Sequence, residues 1–134
     1  MAACVVLLIE DNPSDVKITR RALTTAGVDV RLEVARDGSA AIDYLFGAVA
    51  KPLPDIVLLD VNLPRINGGE VLERIRGDDR TRNLPVVLLT SSIEQEDFAR
   101  SADPSVSAFV CKPFRFEEFA LAAGDLGVRW LEKH

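Results

Sequence analysis

Histidine is almost missing from this 134-residue chain: the one copy is His134, at the last position. A lone terminal imidazole argues against a His-ligated zinc, a Ser-His-Asp triad and a phosphohistidine carried by the chain itself. Cysteine is nearly as scarce. Cys4 and Cys111 lie far apart, each inside an apolar run and outside any C-x-x-C spacing, so both are expected to be buried structural thiols. A glycine-rich loop is lacking after the first apolar run, as is a Walker-type lysine motif, which leaves a nucleotide-dependent enzyme unsupported. Apolar runs of membrane-spanning length are lacking too. The opening MAACVVLLIEDN has no basic leader and is cut by acids, too soon for a signal region or a span. A soluble, cytoplasmic protein with no membrane partner is expected. Positive charge is also in deficit: 16 Lys and Arg against 21 Asp and Glu leave a net charge of −5. That balance repels phosphate backbones, so nucleic acid is not an expected partner.

What is present suffices for a real core, with 48% of the residues hydrophobic. The length is that of one domain, and residues 1–134 are expected to form a single domain with no output domain after it. Cys4–Ile9 is a continuous apolar run, closed by Glu10-Asp11-Asn12 and by Pro13, a residue suited to a first helical turn. Val16, Ile18, Ala22, Leu23 and Ala26 then recur at helical spacing until Gly27 supplies a stop. Val30, Leu32 and Val34 alternate with Arg31, Glu33 and Ala35, as in an edge strand with one less buried face. Asp37-Gly38-Ser39 opens a second helix through Ala41, Ile42, Leu45 and Phe46, followed by a loop holding Pro52 and Pro54. Residues 55–60, 84–90 and 106–111 read as three more strands, and Val71, Leu72 and Ile75 mark a helix after the first of them. A short helix is expected over 93–102, and Phe116, Phe119, Ala120, Ala123, Leu126 and Trp130 give a last helix its apolar face. Strands this apolar, alternating with helices, predict an α/β fold: a parallel five-stranded sheet covered on both faces.

Ligands of an open parallel sheet bind outside the carboxyl ends of its strands, where helix N-termini converge. To that edge the first strand delivers Glu10 and Asp11, the third Asp60, the fourth Thr90 and the fifth Lys112. One ammonium cannot offset three gathered carboxylates. An all-oxygen site without histidine favours a hard cation such as Mg2+, which keeps positions open for water and phosphate. Asp60 is then a candidate nucleophile, because a carboxylate is ionised at neutral pH and needs no general base. Thr90 and Lys112 are groups that can stabilise charge developing on a transferred phosphoryl group. Taken singly, each residue has a plainer reading. Glu10 and Asp11 could simply charge a helix N-terminus, Asp60 could belong to a turn, Thr90 could cap a helix, and Lys112 could be a solvated surface lysine. Their convergence on one edge of one sheet favours the chemical reading.

The strings LLIEDN, DIVLLDVNLPRINGGEVL, PVVLLTSS and FVCKPF, with the separations between Asp60, Thr90 and Lys112, resemble the receiver domain of two-component response regulators across essentially the whole chain. The resemblance implies a three-layer, flavodoxin-like (βα)5 fold with strand order 2-1-3-4-5. It implies that Asp60 is the phosphoacceptor and that Mg2+ is held by Asp11 directly, by Glu10 through water, by Asp60 and by the backbone carbonyl of Asn62. It further implies that Lys112 pairs with the phosphoryl group, that the Lys112–Pro113 bond is cis, and that Thr90 and Phe109 form the switch. Phenylalanine stands at 109 where the family often has tyrosine, and Asp103-Pro104-Ser105 replaces the usual alanine-glycine. LIEDNPSDV, the proline-bearing loop, LTSS and the terminal Trp130-Leu131 resemble the regulators paired with phytochrome-type histidine kinases, which makes such a kinase the expected partner. Trp130, Leu131 and the last apolar face also lead to the expectation of a homodimer. Such a protein is not an enzyme in the ordinary sense, since it catalyses only its own phosphorylation and dephosphorylation. Two other classes stand against this reading: an interaction module that ignores phosphate, whose mark would be loss of an acidic residue, Thr90 or Lys112, and an aspartyl-phosphate phosphatase, whose nucleophile would be expected on the first strand.

Overall fold

The computed structural model describes residues 4–47, 52–61, 68–91 and 108–125. Within these the chain runs β1 (Cys4–Ile9), α1 (Pro13–Thr25), β2 (Val30–Ala35), α2 (Gly38–Phe46), β3 (Ile56–Asp60), α3 (Gly68–Gly77), β4 (Val86–Thr90), β5 (Ala108–Cys111) and α4 (Phe116–Asp125). The five strands are all parallel, in the order β2-β1-β3-β4-β5. The expected helix over 93–102, Leu126 and Trp130 of the last helix, and the run 103–105 lie outside the described residues.

The continuous apolar runs are explained by burial on both faces. Every residue of β3 and β4 is buried, whereas β2 and β5, at the two edges, are only partly covered. Alternate side chains serve opposite layers. Val6 and Leu8 of β1, with Leu58 and Leu89, pack against Leu23 of α1 and Phe119 and Ala123 of α4. Leu7 and Ile9, with Val57 and Leu59, pack against Ala41 and Leu45 of α2 and Val71, Leu72 and Ile75 of α3. At about 1.5–3 kcal/mol for each fully buried large aliphatic side chain, these two layers supply the main driving force. The result is the three-layer α/β fold.

Local signals place the helix starts. Asn12 caps α1, its Oδ1 accepting from Ser14 N at 2.9 Å, and Pro13 follows it in the first turn. Gly27, at φ +71°, takes the left-handed conformation that ends the turn after α1 and that a Cβ would disfavour. Asp37 caps α2 through Ala40 N at 2.7 Å. The inward face of α1 differs from the expected one. Ile18 is 41% exposed, and its place in the interior is taken by Thr19, whose hydroxyl donates to Asp15 O at 3.0 Å. Val16, Thr19 and Leu23 fall on the stripe that meets the sheet, and Thr19 hides its polarity in the helix backbone. In α4, Ala122 is buried while neighbouring Leu121 is 72% exposed. No helix among the described residues is long and apolar enough to cross a membrane.

Candidate functional site

Strand register brings the site together. Ile9 of β1 pairs with Leu59, Asp60 with Leu89, and Thr90 with Cys111, so Glu10, Asp60, Thr90 and Lys112 emerge at one sheet edge. The chain reverses winding there: β1 lies between β2 and β3, and the crevice of such a sheet opens at that point. Two backbone bonds hold the register at the rim, Glu10 N to Ala35 O at 3.0 Å and Lys112 N to Thr90 O at 2.7 Å. The Lys112–Pro113 peptide is cis. Residue 62 lies outside the described residues, so the Asn62 carbonyl cannot be placed among these groups.

Glu10, Asp11 and Asp60 each bring a carboxylate oxygen within 4.8 Å of the others. Glu10 and Asp60 are buried and Asp11 is exposed, so the cluster faces solvent on one side only. Lys112 reaches in from the far strand. Its Nζ lies 2.6 Å from Glu10 Oε1, 3.0 Å from Asp15 Oδ2 and 3.1 Å from Asp60 Oδ2. Burial alone would lower the ammonium's pKa; the facing carboxylates of Glu10, Asp15 and Asp60 more than reverse this and hold it above the ordinary lysine value. Glu10 is raised as well. Desolvation, then hydrogen bonding to Asp60, raises its carboxyl from 4.5 to about 7, against the opposing pull of Lys112.

This donor set fits a divalent cation. It is all oxygen, partly buried, and carries more negative charge than Lys112 offsets. Glu10 Oε1, despite its ion contact with Lys112, has no donor in hydrogen-bond alignment, an expensive condition for a buried carboxylate oxygen without a cation or a water.

Asp15 was not among the residues singled out from the sequence. It sits in the first turn of α1, where its carboxylate suits the helix N-terminus, a sufficient local reason for an acid at that position. The available signal was its place: Asp15 stands in the first turn of a helix that Asn12 and Pro13 start directly after the Glu10-Asp11 pair. Cys111 also departs from expectation. Cys4 is buried as expected, but Cys111 is only half-buried, because it ends an edge strand, and its Sγ lies 3.5 Å from the Thr90 hydroxyl. Thr90 itself is fully buried, and Phe109 is half-buried against the layer formed with α2 and α3.

Comparison with known proteins agrees with this geometry. The response regulator receiver domain matches residues 6–123. The probable methanogenesis regulatory protein FilR2 of Methanothrix harundinacea is 37% identical over 95% of this chain and 83% of its own. The bacteriophytochrome response regulator AtBRR is 43% identical, with a TM-score of 0.89 over 97% of this chain and 96% of that one. Response regulator Rcp1 of Synechocystis is 32% identical over 96% of this chain and 89% of its own; its Mn2+-bound crystal structure aligns with a TM-score of 0.74 over 98% of this chain and 96% of that one. With the fold, the acidic cluster and these likenesses together, the chain belongs to the response regulator receiver domain family.

Proposed function

We propose that Asp60 accepts a phosphoryl group from the phosphohistidine of a histidine kinase of the phytochrome type. The observation that carries this reading is the buried Asp60 carboxylate at a strand end, flanked by two further carboxylates and an ammonium. In the transfer, an Asp60 oxygen attacks phosphorus as the P–N bond of the donor breaks. The electron pair returns to the imidazole nitrogen, which takes a proton from solvent, and the product is an acyl phosphate.

Glu10, Asp11 and Asp60, with the Asn62 backbone carbonyl, would hold Mg2+, whose charge would offset that of the incoming phosphoryl oxygens. Lys112 donates to one of those oxygens. Thr90 exchanges its weak contact with Cys111 for another oxygen, and Phe109 follows it inward. The switch is a population shift between two packings, biased by contacts made only to the phosphorylated form. The same cation would hold Glu10 ionised, since burial, with the neighbouring Asp60 carboxylate, otherwise raises its carboxyl to about 7.

The choice of donor rests on the 43% identity to a bacteriophytochrome response regulator. A receiver serving another kinase is the second reading, favoured by the 37% identity to a methanogenesis regulator. A cytoplasmic signalling module fits both. Trp130 and Leu131, on which the homodimer expectation rests, lie outside the described residues. The test is phosphotransfer from purified phytochrome-type kinases, in light and dark, with Mg2+ or with chelator. Label should move to the protein only when Mg2+ is present. Transfer only from kinases without a phytochrome module supports the second reading. No label from any kinase, nor from acetyl phosphate, would point instead to an interaction module.

A further inference from the structure

Lys112 has three N–H donors, and among the described residues three carboxylates stand within ion-pair distance of them: Glu10 at 2.6 Å, Asp15 at 3.0 Å and Asp60 at 3.1 Å. Two of these belong to the acidic core of the site, with side chains 1% and 4% exposed. Asp15 is the outlier. Its side chain is 28% exposed, it comes from α1 and not from a strand end, and it does not belong to the group of three carboxylates that converge as candidate metal ligands. Its only evident work at the site is to hold the ammonium.

An arriving phosphoryl group needs a donor from Lys112, whose ammonium donates to Asp15 and Asp60 and stands in ion contact with Glu10, so it can turn toward a new acceptor only by loosening one of these partners. Glu10 is confined by burial and Asp60 carries the phosphoryl group, so Asp15, at the solvent edge, is the partner that can leave and be rehydrated at least cost. Resting on the reading of Asp60 as phosphoacceptor, we infer that Asp15 is a positioning residue that competes with the phosphoryl group for the Lys112 ammonium and thereby sets how tightly the site holds that group. Its placement makes the competition specific. Asn12 Oδ1 accepts from Ser14 N at 2.9 Å and from Asp15 N at 3.4 Å, which fixes the first turn so that the Asp15 carboxylate is already aimed at Lys112. Thr19 closes the same turn from below by donating to Asp15 O. The ion pair bridges α1 to the segment after β5, 97 residues apart in sequence, so a change at Lys112 is also felt by α1.

The test uses Asp15→Asn and Asp15→Glu, each alone and combined with Lys112→Gln, with trifluoroberyllate plus Mg2+ as the phosphoryl probe. Asp15→Asn should bind the probe about five-fold tighter, the size expected for losing one partly exposed charge pair. Asp15→Glu should stay near wild type. In the Lys112→Gln background the gain should vanish, which a merely structural effect of Asp15 would not do. A second readout needs neither metal nor probe: the side-chain ammonium resonance of 15N-labelled Lys112 should shift in Asp15→Asn and stay in place in Asp15→Glu. Equal gains in both backgrounds, weaker binding by Asp15→Asn, or an unmoved ammonium resonance would overturn the proposal while leaving the Asp60 reading intact. Wild-type protein that binds no probe would overturn the Asp60 reading, and this inference with it.

Discussion

Among single residues, Glu10 carries the sharpest consequence. Its carboxyl is held at about 7 against an ordinary 4.5, chiefly by burial. Between those two values the unfolded chain ionises while the native chain keeps its proton, so unfolding releases a proton and the metal-free protein loses stability from this group as pH rises. Above about 7 the contribution is constant. A divalent cation reverses the preference by stabilising the ionised form, so binding expels the proton. Mg2+ affinity is therefore expected to climb as pH rises toward about 7 and to level beyond it, as followed by isothermal titration calorimetry across that range. Glu10→Gln should bind more weakly and flatten the profile; a steep profile retained in that variant would assign the titration elsewhere. Glu10, Asp11 and Asp60 were legible in the sequence because Glu10 and Asp11 close the first apolar run and Asp60 ends the third. Asp15 was not, since a carboxylate in a first helical turn has a sufficient local reason to be there, and only the fold reveals that Lys112 lies opposite.

The elements divide in a comparable way. Strands were the easiest to read, because β3 and β4 are buried on both faces and leave no polar residue in their interior until Asp60 and Thr90 end them. Helix faces were harder. Apolar identity suggested Ile18 for the interior of α1, yet the stripe that meets the sheet holds Thr19, a residue whose hydroxyl can be satisfied by its own helix. The last helix shows a smaller departure: α4 buries Phe119 and Ala123 and leaves Leu121 72% exposed, as its expected apolar face implies, but it also buries Ala122, which that face did not include, while Ala120, which it did, is only half-buried. Phe119 touches Phe114 and Phe116, with ring centroids 5.4 and 6.5 Å away, so it anchors the segment that follows Lys112. Phe119→Ala should cost about 3–5 kcal/mol in urea unfolding, while Leu121→Ala should stay within about 0.5 kcal/mol. Comparable losses from both would mean that α4 packs through a different face.

For the whole molecule, strand order is what converts scattered residues into a site. Residues 10, 60, 90 and 112 meet because parallel strands in the order β2-β1-β3-β4-β5 all end at one edge, and the winding reverses beside β1. The alternation of apolar runs and helices was enough to anticipate that edge, but hydrophobic pattern alone does not give strand order. The order expected from the family resemblance is the one observed. Pattern also could not give the three-way engagement of Lys112, which depends on register and on the reach of one side chain. The central claim, that this edge exists to place a phosphoryl group on Asp60, is tested most directly by locating the acyl phosphate. After incubation with a phosphodonor and Mg2+, borohydride reduction converts a phosphorylated aspartate to homoserine, and peptide mass spectrometry reads its position. The account predicts homoserine at position 60 and nowhere else, and none when Mg2+ is withheld. Homoserine at position 11 or 15, or no conversion with a donor that labels another receiver in the same mixture, would contradict it.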